Sequence, residues 1–257
     1  MRYNLKEVFS MHYTRTEFET FLKNVDLDGY RALYAPIKTV EMDLIDNTNK
    51  IDITPLNEIY KLYWEEEKSP RTIATFDEFY DYYYKSKEQE ILKFWSKSGF
   101  GMKCDCFPRG LKARIYRTWC SLITQIHAAY VAEEVFGKEC VYQSTKLDKN
   151  KIDILVEYKG RSLKVQIKKE TWRREIRRMS DPKEKAKDLI YLKYYVPSSS
   201  KEYAKPRGRN KRLKGWARQF VAFSPRGGFL DRFNNGFIVF TKKKFEAYKN
   251  KIDSGLI

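Results

Sequence analysis

The chain has 257 residues, 42% of them apolar and 16% aromatic, a composition that provides for a packed core and excludes wholesale disorder. Lys and Arg number 51 against 34 Asp and Glu, which gives a net charge of +17. The charge is uneven, because residues 1–100 sum to −4 and residues 101–257 to +21. This imbalance predicts a polyanionic partner for the second half, either nucleic acid or an anionic membrane surface.

The sequence also excludes several classes of protein. No apolar run approaches the roughly 18 residues that a membrane-spanning helix needs. Residues 1–7 lack the apolar segment of a signal peptide. Four cysteines in a chain of this length do not make a disulfide framework, so we expect a reduced chain in the cytoplasm. The length fits one large domain or two small ones.

Residues 1–100 are predicted to be mainly helical. Apolar side chains recur at helical spacing over Phe9–Phe21, Leu56–Trp64 and Phe76–Trp95. Thr75, followed by the acids Asp77 and Glu78, is typical of a helix start. The many Tyr and Phe of these helices favour an aromatic core over a functional surface.

The period of the sequence changes in the second half. A long helix is predicted over Lys112–Phe136, with Gly137 at its end. Apolar runs and period-two alternation then predict the strands Ile152–Tyr158, Ser162–Lys169, Ile190–Val196 and Gly236–Phe240. The remaining predicted segments are a partly helical, basic Thr171–Lys187, a polar loop over Ser198–Arg212 and a closing helix over Lys242–Lys249. Together these elements predict an α/β fold.

The first two strands form a predicted hairpin around the tight turn Lys159-Gly160-Arg161. On such a hairpin, Asp153 can lie beside Gln166 and Lys168, which share one face of the returning strand. Asp153, the Gln166 side-chain oxygen and the Ile167 carbonyl are candidate ligands of Mg²⁺, a hard cation that prefers oxygen. The Lys168 ammonium could orient an attacking water and neutralise charge on a phosphate.

This pattern has a simpler explanation. An Asp followed at this distance by Gln-x-Lys arises often by chance, and a hairpin with one solvated polar face has the same alternation. The helix before the hairpin and the basic segment after it favour a functional site.

The helix followed by this hairpin resembles the core of the PD-(D/E)xK nucleases. Two departures stand out: Ile152 replaces the Pro before the acid, and Gln166 replaces the second acid. The resemblance implies that the preceding helix could supply a further ligand, and Gln125 lies about where that ligand falls. Glu133 and Glu134, nearer the end of the helix, are expected to be solvated.

Longer stretches resemble one family more closely. They are residues 35–41, 110–119, 124–126, 130–134, 165–169 and 235–240, in the same order along most of the chain. Together they are similar to the TaqI family of type II restriction endonucleases. The resemblance implies a restriction-endonuclease-like core, with a helix and a mixed sheet, and a Mg²⁺-dependent homodimer in a prokaryotic cytoplasm. It further implies cleavage of double-stranded DNA at TCGA, with Asp153, Gln166 and Lys168 at the metal site, and a cognate methyltransferase acting on the same sequence.

Two basic segments, residues 168–187 and 201–218, are predicted to contact DNA. Lys and Arg contacts to phosphate supply affinity, and a few bidentate contacts of Arg to guanine supply sequence choice. The candidate DNA-binding residues are Lys169, Arg173, Arg174, Arg207, Arg209, Lys211, Arg212, Trp216 and Arg226. A solvated basic surface that binds any nucleic acid loosely is the alternative for each of them.

We expect residues 1–100 to serve dimerisation or clamping of DNA and residues 101–257 to form the catalytic and DNA-binding core. Two rival functions remain open. One is a DNA-binding protein with a degenerate nuclease core, which the missing second acid favours. The other is a repair endonuclease specific for DNA structure or damage. An RNA-binding module fits the charge, although the sequence lacks the aromatic motif typical of one.

Overall fold

We describe a computed structural model of the chain. The structure describes residues 13–34, 51–64, 73–98, 106–170, 189–195 and 228–256. The chain divides into two compact units, residues 1–126 and 127–257. None of the described helices is both long enough and apolar enough to cross a membrane.

The described part of the first unit is helical, as predicted. Its helices are α1 (Arg15–Asn24), α2 (Leu27–Leu33), α3 (Leu56–Tyr63), α4 (Phe76–Ser98) and the larger part of α5 (Cys106–Phe136), which continues into the second unit. The predicted helix over Phe9–Phe21 is described only from Arg15 onward.

Two of these helices begin with reciprocal hydrogen bonds that satisfy backbone groups left over at a helix start. At α1, the Glu17 N–H donates to the Thr14 hydroxyl at 3.2 Å, and the Thr14 N–H donates to the Glu17 carboxylate at 2.7 Å. At α4, Thr75 and Glu78 repeat the arrangement at 3.4 and 2.8 Å. The start predicted from Thr75 is confirmed.

Helix α5 begins at Cys106, earlier than the predicted Lys112. Pro108 lies in the first turn, where the backbone N–H groups have no partner within the helix, so that the ring removes no hydrogen bond. Gly110 follows it inside the helix and lowers helix propensity there. Because Pro and Gly usually interrupt helices, these two residues led the sequence-based prediction to place the start of α5 too late. The end at Phe136 is as predicted.

An aromatic core holds the first unit together. Its fully buried aromatic side chains include Phe18, Tyr60, Tyr63, Phe76, Phe79, Tyr83 and Trp119. The Trp119 indole N–H donates to the Tyr63 hydroxyl at 3.0 Å, and this hydroxyl donates to the Ala74 carbonyl at 2.7 Å. The two polar groups are thus satisfied inside the core, and the prediction that these aromatics are structural agrees with their burial.

Tyr63→Phe is expected to lower the free energy of unfolding by about 1–3 kcal/mol, because it leaves the buried Trp119 N–H without its acceptor and the Ala74 carbonyl without its donor. Urea denaturation measures the change. Tyr82→Phe is the matched control, since Tyr82 is 38% exposed. Equal stabilities of the two variants would contradict this account of the core.

The second unit is built on a four-stranded sheet in the order β1–β2–β3–β4. Its strands are β1 (Val141–Tyr142), β2 (Ile154–Tyr158), β3 (Arg161–Glu170) and β4 (Leu189–Tyr195). The pairs β1–β2 and β2–β3 are antiparallel, whereas β3–β4 is parallel. A short helix, α6 (Thr145–Lys149), precedes β2. The predicted α/β class is confirmed, with a small mixed sheet.

The predicted hairpin is β2 and β3. Lys159 and Gly160 adopt φ values of +48° and +75°. Both lie in the left-handed region, which the two central residues of a tight hairpin turn of this type must adopt. On β3, Leu163, Val165 and Ile167 are buried, as their alternation predicts.

A second hairpin and a closing helix complete the unit. They are β5 (Leu230–Arg232), β6 (Ile238–Phe240) and α7 (Lys243–Asp253). The Phe240 ring lies edge-on to Tyr194 of β4 at 6.1 Å, and Phe245 of α7 lies edge-on to Phe136 at the end of α5 at 6.5 Å. Strand β6 and helix α7 match predicted elements, whereas β5 was not predicted. The predictions for Thr171–Lys187 and Ser198–Arg212 lie outside the described residues.

Candidate active site

Asp153 lies immediately before β2 and is held by three hydrogen bonds. Its N–H donates to the Val165 carbonyl at 2.9 Å, and its own carbonyl accepts from the Gln143 amide at 3.1 Å. The carboxylate Oδ2 accepts from the Ile167 N–H at 2.5 Å. The residue is only 6% exposed. Backbone and side chain are therefore both fixed before any ligand binds.

The register of the hairpin brings Gln166 to Asp153. Ile154 pairs with Val165, the Asp153 N–H donates to the Val165 carbonyl, and the Ile167 N–H donates to the Asp153 carboxylate. Asp153 therefore lies beside the short β3 segment that contains Gln166. Lys168, two residues further along β3, shares the face of Gln166. Both side chains are half-buried. The structure thus brings together the three residues that the spacing of the sequence predicted.

The Ile167 carbonyl is the fourth predicted group. In an antiparallel ladder the N–H and C=O of one strand residue point to the same neighbouring strand. Because the Ile167 N–H reaches the Asp153 carboxylate, the Ile167 carbonyl points to that same side of β3.

Burial raises the pKa of Asp153 to about 7. The hydrogen bond from Ile167 and the charge of Lys168 act in the opposite direction, and the negative charge of Asp148 adds to the rise. A buried carboxylate with a raised pKa makes Asp153 a candidate for a functional site.

Asp148, at the end of α6, is an acid that the sequence analysis missed. Burial raises its pKa, and its charge is felt at Asp153. The Ser144 hydroxyl accepts from the Leu147 N–H at 3.2 Å and so begins the short helix that carries Asp148. The segment between the two acids has no clear period, and no pattern in the sequence relates them.

Among the residues that the structure describes, no three His, Cys, Asp or Glu side chains come together as a ready-made metal site. The predicted oxygen donors are the Asp153 carboxylate, the Gln166 amide and the Ile167 carbonyl. Gln125 is half-buried on α5 in the first unit, and its role as a ligand stays a prediction.

The expectation of a solvated helix end is wrong for Glu133. This side chain is 8% exposed, because the last turns of α5 are buried on almost every side. Burial raises the pKa of Glu133 to about 8, against a weaker opposing effect of Lys138. Its neighbour Glu134 is exposed and pairs with Lys242 at 3.0 Å, as a solvated end predicts.

Glu133→Gln is expected to raise the melting temperature by a few degrees at pH 8 and by less at pH 5. The raised pKa means that the contribution of Glu133 to stability is fully present below the ordinary glutamate pKa and is lost as the pH rises to about 8. Glutamine is neutral at every pH and removes this loss. Glu134→Gln is the control, measured by calorimetry at both pH values. Equal gains at pH 5 and pH 8 would show that the charge of Glu133 is not the cause.

Most of the candidate DNA-binding residues fall beyond the part of the chain that the structure describes. Arg173, Arg174, Arg207, Arg209, Lys211, Arg212, Trp216 and Arg226 lie outside the described residues. Lys169 lies in β3, directly after Lys168.

The family model of the TaqI restriction endonuclease matches residues 15–252 of the chain. The chain belongs to the TaqI restriction endonuclease family. The resemblance seen in the sequence is confirmed, and with it the class of enzyme, a restriction endonuclease. The hairpin with Asp153, Gln166 and Lys168 lies inside the matched region.

Two relatives within the TaqI family match over most of their length. The type II restriction enzyme TaqI of Thermus aquaticus is 33% identical over 244 residues, which cover 92% of this chain and 85% of the relative. A type II restriction enzyme of Thermus thermophilus is 30% identical over 237 residues, covering 91% of this chain and 86% of the relative. No solved structure matches the chain significantly.

Proposed function

We propose that the chain is a Mg²⁺-dependent type II restriction endonuclease that cuts both strands of duplex DNA at the palindrome TCGA. The observation that carries the proposal is the buried Asp153, whose N–H and carboxylate are hydrogen-bonded to β3 on either side of Gln166, with Gln166 and Lys168 on one face of that strand. Membership of the TaqI family supports the type of reaction. The recognition sequence is inferred from the similarity to the family.

The donors around Asp153 fit a small hard cation. The carboxylate, the Gln166 amide oxygen and the Ile167 carbonyl would hold Mg²⁺, which takes one or two carboxylates and keeps several waters. Burial and the charge of Asp148 both disfavour ionisation of Asp153, and a bound cation would offset them. When bound, Mg²⁺ would polarise a phosphate oxygen and activate water.

Lys168 is the residue that would supply positive charge from the protein at the candidate active site. Hydrolysis joins a water oxygen to phosphorus and breaks the bond to the 3′ oxygen, leaving 5′-phosphate and 3′-hydroxyl ends. Negative charge grows on the phosphate as this happens. The Lys168 ammonium would neutralise part of that charge and donate hydrogen bonds that orient the water.

The palindrome implies a two-fold dimer with one active site for each strand. We assign the restriction-endonuclease-like catalytic core to residues 101–257 and dimerisation or clamping of DNA to residues 1–100. A cognate methyltransferase would act on the same sequence and need not bind this chain.

Affinity for DNA would come mainly from the basic second half. Residues 101–257 have a net charge of +21, concentrated in the segments 168–187 and 201–218. Contacts between these side chains and phosphates release counterions, so binding should weaken steeply as salt rises.

One observation favours a second function. Gln166 stands where the PD-(D/E)xK nucleases have an acid, and an amide holds a cation less strongly than a carboxylate does. A DNA-binding protein with a degenerate nuclease core would show this change.

Two duplexes of equal length and composition separate these functions. One contains a single TCGA, and the other replaces it with the palindrome TGCA. We expect cleavage of the first alone, in Mg²⁺ and not in EDTA. Binding of both duplexes without any metal-dependent cleavage would favour the degenerate core. Cleavage only of branched or mismatched versions would favour the repair endonuclease.

A further inference from the structure

Tyr191 of β4 lies on the face of the sheet that carries the candidate site. In the parallel pairing of β3 with β4, Tyr191 is the register partner of Gln166, and Lys168 is the partner of Lys193. Directly paired residues of neighbouring strands project to the same face. Tyr191 therefore lies beside Gln166 and diagonally across from Lys168.

The Lys168 side chain extends back across this diagonal to the ring. Its Nζ lies 4.2 Å from the centroid of the Tyr191 ring. A cation within about 6 Å of an aromatic centroid is attracted by the negative face of the ring, and more strongly where both groups are partly removed from water. Lys168 and Tyr191 are both half-buried, so the contact is stronger than one between fully exposed groups.

The charged neighbours of Lys168 explain why a contact that holds its ammonium in place is useful. A lysine side chain is a flexible stem that can place its charge in many positions. The direct partner of Lys168 across the strands is Lys193, a like charge in a place where like charges repel. On the other side, the charge of Lys168 acts on Asp153. The Tyr191 ring, level with Gln166 along the strands, offers the ammonium a favourable location away from Lys193.

We propose that Tyr191 is a positioning residue, whose ring face holds the Lys168 ammonium where the scissile phosphate is to bind. The proposal rests on the proposed function, since it assigns Lys168 to the phosphate. It concerns the π face of the ring and not the hydroxyl group. Tyr191 would act through Lys168 and would not itself touch the reacting atoms.

The first test compares Tyr191→Phe, Tyr191→Leu and Tyr191→Met in steady-state cleavage of a TCGA duplex. We expect Phe to keep the wild-type rate within about twofold, and Leu and Met to lose about tenfold in kcat with little change in KM. Met serves as a second non-aromatic variant should the Leu variant fail to fold. Tyr142→Leu, a half-buried tyrosine of the same sheet, is the matched control.

A second test alters the ring without altering its shape. Phenylalanine with one, two and three fluorine atoms at position 191 weakens the negative face of the ring stepwise. We expect the logarithm of kcat to fall steadily along this series, because the attraction of the cation depends on that face. A residue that merely fills space would give a flat series. A flat series, or a Phe variant as slow as the Leu variant, would overturn the inference.

Parallel measurement of Lys168→Ala separates this inference from the function on which it rests. Loss of cleavage in Lys168→Ala with wild-type kcat in Tyr191→Leu overturns the role of Tyr191 alone. Cleavage retained in Lys168→Ala overturns the assignment of Lys168 and the positioning role together.

Discussion

The Lys168→Ala variant is expected to cleave duplex DNA at least about 10²–10³-fold more slowly than the wild-type chain. Its affinity for the same duplex should stay within a few-fold. The reason is that the ammonium stabilises the negative charge that grows on the phosphate during hydrolysis. This charge is fully developed only in the transition state, so the interaction lowers the barrier more than it strengthens binding. One lysine among the 51 basic side chains of the chain contributes little to binding by comparison.

Single-turnover rates and gel-shift titrations in Ca²⁺, which supports binding without the chemistry of Mg²⁺, measure the two quantities separately. Lys164→Ala is the matched control, because Lys164 lies on the same face of the same strand and is also half-buried. It should leave the rate at saturating DNA unchanged. Equal loss of binding and cleavage in Lys168→Ala would remove Lys168 from the chemistry.

Loss of metal-dependent cleavage is the expected result for Asp153→Ala and Asp153→Asn. The alanine variant removes the carboxylate, and the asparagine variant keeps its shape without the charge that Mg²⁺ requires. Removing the unfavourable ionisation of this buried group should leave the fold at least as stable as before at pH 8. The Asn variant should therefore be folded and inactive.

The same carboxylate sets a pH dependence. Burial raises its pKa to about 7, so protons compete with the metal below that pH. We expect the Mg²⁺ concentration for half-maximal cleavage to rise as the pH falls from 8 to 6, approaching about tenfold per unit below pH 7.

Cleavage rates measured against Mg²⁺ concentration at each pH give both results. Asp231→Asn serves as control, since Asp231 is exposed on β5. Wild-type rates in Asp153→Asn, or a half-maximal Mg²⁺ concentration that does not change with pH, would place the metal elsewhere.

The hairpin could be predicted because the interactions that form it lie within one short stretch of sequence. Alternation of Leu163, Val165 and Ile167 defines the buried face, and the face of Gln166 and Lys168 follows from it. Gly160 marks the turn through its left-handed conformation, and the turn fixes the register in which Ile154 pairs with Val165, next to Asp153 and Gln166. The proximity of the three candidate side chains therefore followed from the spacing, and their role as a site stays a prediction.

The parts that the sequence did not predict depend on distant contacts or on short segments. Strand β5 has three residues, two of them charged and exposed, too few for a period. Glu133 is buried by tertiary packing around the end of α5, which helix periodicity does not describe. Asp148 affects Asp153 because of a short helix and turn between them, and Tyr191 meets Lys168 only through the parallel pairing of β3 with β4.

The most direct test of the central claim is a digest of a sequenced plasmid with and without Mg²⁺, with every end mapped to the base. We expect no cleavage without the metal. With Mg²⁺, discrete fragments should appear whose 5′-phosphate and 3′-hydroxyl ends all lie within TCGA. Intact plasmid despite binding, or ends scattered over unrelated sequences, would contradict the account of this chain as a site-specific endonuclease.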